Sequence, residues 1–356
     1  MWVSGYNEAD WDMGMVYGDL VVGTWDPASG KVAWQTVDGL PPEEEAVADY
    51  YPGGFRGGVS APGDDVGLWT SLAIGPNDQP HVAYYDVTHK ALKFAYFDGE
   101  AWTTSFVEQK QGADIGRYAK LIFLPNGNPA IAYLVIEPGD DGYAVSKVRV
   151  ATGKTASPAG PSDWSFEDAA VHTTTPCRAW LCKSGTACDA ETGRCLETDK
   201  CDPKCDTGKA CFKGAEGEAP RCRDAFDGSK IDSYPEAHGL YVSVAVTPQG
   251  ELGLVYYDRI RGNLMQARKS GGAWSTAILD GQTGAAPNEV DTGDVGIGAS
   301  LFIDNNGDWH ISYADGNSEG LKYLLVKEGT TPQTPEVIDD GRGVGGTPFA
   351  DGQHIV

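Results

Sequence analysis

An all-β fold, a β-propeller of four-stranded antiparallel blades, is what this chain predicts, and three observations carry the prediction. The 356 residues hold 47 Gly, 21 Pro, 16 Tyr and 10 Trp, a composition suited to short strands and tight turns. No long run shows the three-to-four residue apolar spacing of an amphipathic helix. A strand-turn-strand pattern also recurs as "SLAIGPNDQPHVAYYD" (71 to 86), "LIFLPNGNPAIAYLV" (121 to 135), "SVAVTPQGELGLVYYD" (243 to 258) and "SLFIDNNGDWHISYAD" (300 to 315).

Each copy reads as a strand, a Pro, Asn or Gly turn, and a second strand ending in aromatic residues. A third strand follows in "ALKFAYFD", "NLMQARKS" and "LKYLLVKE", and a fourth in "AWTTSFVE", "AWSTAILD" and "PEVIDD". Blade three is less regular, with "VSKVRVATG" and "DWSFEDA" around a Pro and Ser-rich insertion at 152 to 163. At the N-terminus, "MWVSGYNEA", "DLVVGTW" and "KVAWQTVD" match strands two to four of a further blade. The expected total is about five to seven blades. A strand from residues 348 to 356 completes the first, or the chain is a segment of a longer protein, the reading preferred here because both ends stop within a unit.

All eight cysteines fall between 177 and 222. Their even number and density, in a region with too little apolar sequence for its own core, predict a disulfide scaffold. The expected organisation is propeller over 1–168, disulfide-rich insertion over 169–230 and propeller over 231–356. The expected pairing is first to third and second to fourth in each half: Cys177 with Cys188, Cys182 with Cys195, Cys201 with Cys211, Cys205 with Cys222. Zinc at the spacing of Cys201 and Cys205 is the competing reading.

The formal net charge is −24, from 51 acidic and 27 basic residues. Such a surface repels a nucleic-acid backbone or an anionic membrane. No run of eighteen apolar residues spans a bilayer. The blades resemble the "HIAYYD … LKYA … W" repeats of bacterial extracellular propellers, and the insertion resembles cysteine-rich modules of secreted and surface-anchored bacterial proteins. The resemblance implies an oxidising location: secreted, periplasmic or cell surface. The sialidase pattern Ser-x-Asp-x-Gly-x-Thr-Trp is absent, since "DNNGDW" (304 to 309) has the turn but not the order.

Loops joining strand four to the next strand one, and strand two to strand three, share one face. There they are long (39 to 66, 168 to 240, 280 to 296, 339 to 356, with 136 to 143 and 8 to 18), whereas the opposite face has mostly tight turns. Binding on a rigid scaffold concentrates in such loops. Just before strand one, "DVGLWTS", "DIGRYAK", "AHGLYVS" and "DVGIGAS" bring Asp65, Asp114 and Asp294 to this face, with His238 one place on. They are turn caps or, converging at the axis, calcium ligands. Asp86, Asp258 and Asp315, with Asn7, end strand two and read as turn geometry.

Trp69, Tyr118 and Tyr241 share one repeat position and either pack between blades or form a stacking surface. Arg117, Arg259 and Arg261 lie on the same side, with solvated charge as their default. His81 and His310 are repeat positions, whereas His89 is not repeated and is the histidine to test. No Gly-x-Ser-x-Gly, His-Glu-x-x-His or phosphate loop is present. The expected function is a non-catalytic module contacting proteins or glycans through its long-loop face, with assembly into a surface complex as one outcome. The alternative is a carbohydrate-active propeller enzyme, a glycosidase or polysaccharide lyase.

Overall fold

The computed structural model describes residues 1–11, 15–42, 56–59, 61–178, 181–215, 217–225, 234–284 and 288–340. Sheet I has three strands, Trp2–Trp11, Met15–Asp26 and Lys31–Asp38. Four sheets of four strands follow. Sheet II comprises Val66–Ile74, Pro80–Asp86, Ala91–Phe97 and Trp102–Glu108. Sheet III comprises Asp114–Phe123, Pro129–Pro138, Ala144–Gly153 and Trp164–Thr175. Sheet IV comprises His238–Val246, Leu252–Asp258, Asn263–Ser270 and Ala273–Asp280. Sheet V comprises Val295–Ile303, Trp309–Asp315, Gly320–Val326 and Glu336–Asp339. Every neighbouring pair within a sheet is antiparallel.

Inner strands of sheets II to V follow one another in sequence order, each packed on the next. The second strands are the most apolar and the most deeply buried: all seven residues of Pro80–Asp86 and of Leu252–Asp258 are buried. Strands covered on both faces require such runs. The propeller fold class thus holds, and the core lies between sheets, with Phe94 of sheet II edge-on to Trp164 of sheet III as one example.

Glycine makes the close approach between sheets possible. A Cβ on Gly67, Gly116 or Gly296 would meet the backbone of Leu20, Leu92 or Leu264 at 2.9, 2.8 and 3.0 Å, and all three have φ near +110°. This equivalence also identifies Met15–Asp26 as a third strand. Sheet I therefore lacks an innermost strand among the described residues, and residues 348 to 356, expected as one source of it, lie outside them.

The last strand of sheet III continues to Thr175, so the cysteine module starts after that residue and not at 169. The module consists of two hairpins, Thr186–Asp189 with Arg194–Glu197 and Lys209–Phe212 with Arg221–Asp224. Four disulfides join Cys177–Cys188, Cys182–Cys195, Cys201–Cys211 and Cys205–Cys222. No cysteine is free, so no thiolate is left at 201 or 205 for zinc. The four bridges fit an oxidising compartment. The module is docked on sheet III: Cys195 N–H donates to Gly142 O at 2.7 Å, and Arg194 donates to Asp141 O while lying over the Tyr143 ring. No helix among the described residues is long and apolar enough to cross a membrane.

Candidate functional site on the long-loop face

Two tyrosine clasps recur at three of the four sheet junctions, and they absorb several of the expected site residues. At the end of strand two, Tyr6, Tyr85 and Tyr257 donate to Asp65, Asp114 and Asp294 of the following sheet at 2.8, 2.8 and 2.5 Å. One residue earlier, Tyr84, Tyr133 and Tyr313 donate to Asp38, Glu108 and Asp280 of the preceding sheet at 2.6, 2.5 and 2.7 Å. Lys93, Arg149 and Lys322 pair with those same acids. Burial of these polar groups is tolerable only because each finds a partner.

Asp65, Asp114 and Asp294 therefore stand at three different junctions, each engaged with a tyrosine, and do not form a group with ligand atoms within 4.8 Å of one another. Among the described residues, the group outside the disulfides that brings three possible ligand atoms within 4.8 Å is Asp64, Asp86 and His89. Two carboxylates and an imidazole fall short of the six to eight oxygens that calcium takes.

Arg117 is not a solvated cation. Its side chain is 1% exposed, it donates to Asp114 through Nε and a terminal nitrogen at 2.9 and 2.6 Å, and it lies over the rings of Trp69 and Tyr85. A buried ion pair of this kind, with both nitrogens on Asp114 Oδ2 and Tyr85 on Oδ1, fixes a sheet junction.

Trp69, Tyr118 and Tyr241 form a row across three sheets. Ring centroids are 4.9 Å apart for Trp69 and Tyr118 and 4.8 Å for Tyr118 and Tyr241. Tyr118 is buried, whereas Trp69 and Tyr241 are half-buried. All three have left-handed backbone, φ 51°, 55° and 50°, at a bulge where sheet V carries Gly298 with φ 64°. A left-handed residue with a side chain costs about 1–2 kcal/mol, so three aromatic rings are kept where glycine fits the backbone. Such strain concentrates at functional sites.

Tyr234 extends the row, with its ring 6.2 Å from Tyr241 and 6.3 Å from Tyr257. Arg259 lies 3.9 Å above the Tyr234 ring and donates to the Tyr234 carbonyl. Beside them opens a cleft of about 460 Å³ between sheets IV and V, lined by Glu236, Arg259, Arg261, Asp291 and Asn317. Glu236 and Asp291 come from separate long loops and are exposed. Sequence reading missed Glu236, Asp291 and Asn317 because none sits at a repeated position.

His89 lies on the same face of sheet II. Its Nδ1 is 2.9 Å from Asp86 Oδ2, its backbone N–H donates to Asp86 Oδ1 at 2.8 Å, and its ring meets Phe106 edge-on. Burial raises Asp86 above the ordinary aspartate range, opposed by these bonds from His89, and burial also raises Asp65, opposed by Tyr6. At the junction of sheets III and IV the clasp is replaced by histidines. His238 lies 3.3 Å from Asp258 and 3.2 Å from the Tyr256 hydroxyl, and His172 stacks on it at 5.2 Å with the planes 13° apart. Burial lowers His172, and the neighbouring His238 lowers it further.

No protein-family model and no curated protein matches this chain. Solved structures do match. An α-L-arabinofuranosidase from Lactobacillus brevis is 10% identical at TM-score 0.38, over 75% of this chain and 72% of that one. A Fusarium graminearum α-L-arabinofuranosidase solved with arabinobiose is 10% identical at TM-score 0.42, over 76% of this chain and 66% of that one. An exo-β-1,3-galactanase from Phanerochaete chrysosporium is 10% identical at TM-score 0.36, over 76% of this chain and 49% of that one. Likeness at this level is one of fold. The three named matches are themselves glycoside-cleaving enzymes, the class of the alternative expectation, and the non-catalytic expectation is not carried further.

Proposed function

We propose that this protein is a carbohydrate-active propeller enzyme that cleaves glycosidic bonds on its long-loop face. The observation that carries the reading is the cleft between sheets IV and V, which Glu236 and Asp291 both line beside Tyr234, the half-buried end of the aromatic row. Sugar rings stack on aromatic faces, and polar groups at the rim fix their hydroxyls. Tyr234, with Tyr241 behind it, supplies the stacking surface, and Arg259, Arg261 and Asn317 supply the polar contacts.

Hydrolysis needs two carboxyl groups flanking the bond. In this reading one of Glu236 and Asp291 gives its proton to the glycosidic oxygen as the carbon–oxygen bond breaks. The other takes a proton from the water that attacks the anomeric carbon, so one water is consumed per bond cut. A panel of plant and bacterial polysaccharides with a reducing-sugar assay tests this. Release by the wild-type chain, lost in Glu236→Gln and in Asp291→Asn, is the expected result.

A further inference from the structure

We propose that the pocket between the loops at 88–90 and 109–113 of sheet II binds the anionic group, carboxylate or sulfate, of an acidic sugar. The proposal rests on the carbohydrate reading for the class of ligand and on the pocket's own residues for its charge.

The pocket has a volume of about 560 Å³, and Thr88, His89, Lys90, Gln109, Lys110 and Gln111 line it. Every one of these side chains carries a hydrogen-bond donor or can carry one. Among the described residues that line it there is no carboxylate, although the chain holds 51 acidic residues against 27 basic. Repulsion from the rest of the surface is screened over about 8 Å at physiological ionic strength. Cations at contact distance therefore decide what enters.

Each donor is held in place. His89 is oriented through Nδ1 and its backbone N–H by Asp86, which is fully buried, with Asp64 3.8 Å from the same nitrogen, so the second ring nitrogen is the one offered to a ligand. Lys110 Nζ rests on Glu137 at 2.7 Å with the side chain 57% exposed, and an ammonium has three hydrogens to give. Lys90 has left-handed backbone, φ 52°, at the turn position that is Gly262 in sheet IV and Glu319 in sheet V. Glycine serves this turn, so the lysine is kept against the local backbone preference. The loop at 109–113 joins it from the other side, where the Ile115 N–H donates to Lys90 O at 3.0 Å.

The full chain, titrated at physiological ionic strength by calorimetry and by NMR with glucuronate, galacturonate, glucose 6-sulfate, glucose, galactose, acetate and inorganic sulfate, tests the proposal. Expected is binding of one or more of the three acidic sugars at least tenfold tighter than of the neutral sugars or the free ions. The uronate and sulfate arms say which anion is preferred. Lys90→Gly and Lys110→Gln should each weaken that binding at least fivefold, with thermal melts verifying that both variants fold. Equal affinity for acidic and neutral sugars, affinity for free sulfate or acetate as high as for the sugars, or undiminished binding by both variants would overturn it. Because monosaccharide binding is read directly, absence of polysaccharide cleavage leaves this result standing, and its failure leaves the cleavage reading intact.

Discussion

The hydroxyl of Tyr257 donates to Asp294 at 2.5 Å across the junction of sheets IV and V. Tyr85 with Asp114 and Tyr6 with Asp65 repeat the relationship at two other junctions. The contact is a device for joining sheets, and its energetics follow from burial: a tyrosine hydroxyl left without its acceptor keeps the full cost of desolvation. Asp294→Ala should therefore destabilise by about 1–3 kcal/mol, and Tyr257→Phe by about 1–2 kcal/mol. Denaturant midpoints at unchanged slope are the check, and a change in either variant below a few tenths of a kcal/mol would contradict the clasp.

Acid should loosen the junctions. Against the opposing effect of burial, bonds from Lys110 and Lys147 lower Glu137, bonds from Arg149 and Lys147 lower Asp168, and His238 lowers Asp258. A carboxylate lowered in the folded state adds stability that is complete above the unfolded value of about 4 and is lost as pH falls through the folded value. Asp65 and Asp86, raised by burial, act with the opposite sign. Their share is present below about 4 and lost as pH rises through their folded values. The melting temperature should fall on acidification below about pH 5, and Asp168→Asn should flatten that fall.

Reduction should open the cysteine module and spare the propeller. The module's strands are four residues long, and each bridge adds about 2–4 kcal/mol on the loop-entropy model. Limited proteolysis after dithiothreitol should cut between Cys177 and Cys222, with far-ultraviolet circular dichroism of the sheets retained. Loss of the whole β signal would mean that the module is integral to the propeller.

Strain at Lys90 gives an opposite expectation for stability and function. Lys90→Gly relieves a left-handed residue and should raise or leave unchanged the melting temperature, with a gain of up to about 1 kcal/mol, while anion binding weakens. A variant that both unfolds and loses binding would show that the lysine serves the turn.

Much of this architecture was legible in the sequence because its signals are local. Turns such as "PND" and "PQG" and the alternation around them marked the strands, and the density of cysteines pointed to a disulfide scaffold, whereas their pairing was one choice among several. The clasps were not legible, since Tyr6 and Asp65 lie 59 residues apart and Tyr257 and Asp294 lie 37 apart. The three aspartates were therefore read as caps or metal ligands. Arg117 looked like a surface cation because nothing local announces that Asp114 and two rings enclose it. Glu236 and Asp291 escaped notice for the converse reason: a repeat alignment draws the eye to what recurs, and a unique ligand site is built from what does not.

Glycosidic cleavage at the cleft between sheets IV and V is the central claim, and product release from a polysaccharide panel measures it most directly. The account predicts that at least one polysaccharide yields new reducing ends with the wild-type chain, and that Glu236→Gln and Asp291→Asn each lower the rate by two orders of magnitude or more while remaining folded. Product release unchanged in both variants, or none from any polysaccharide with the wild-type chain, would contradict it.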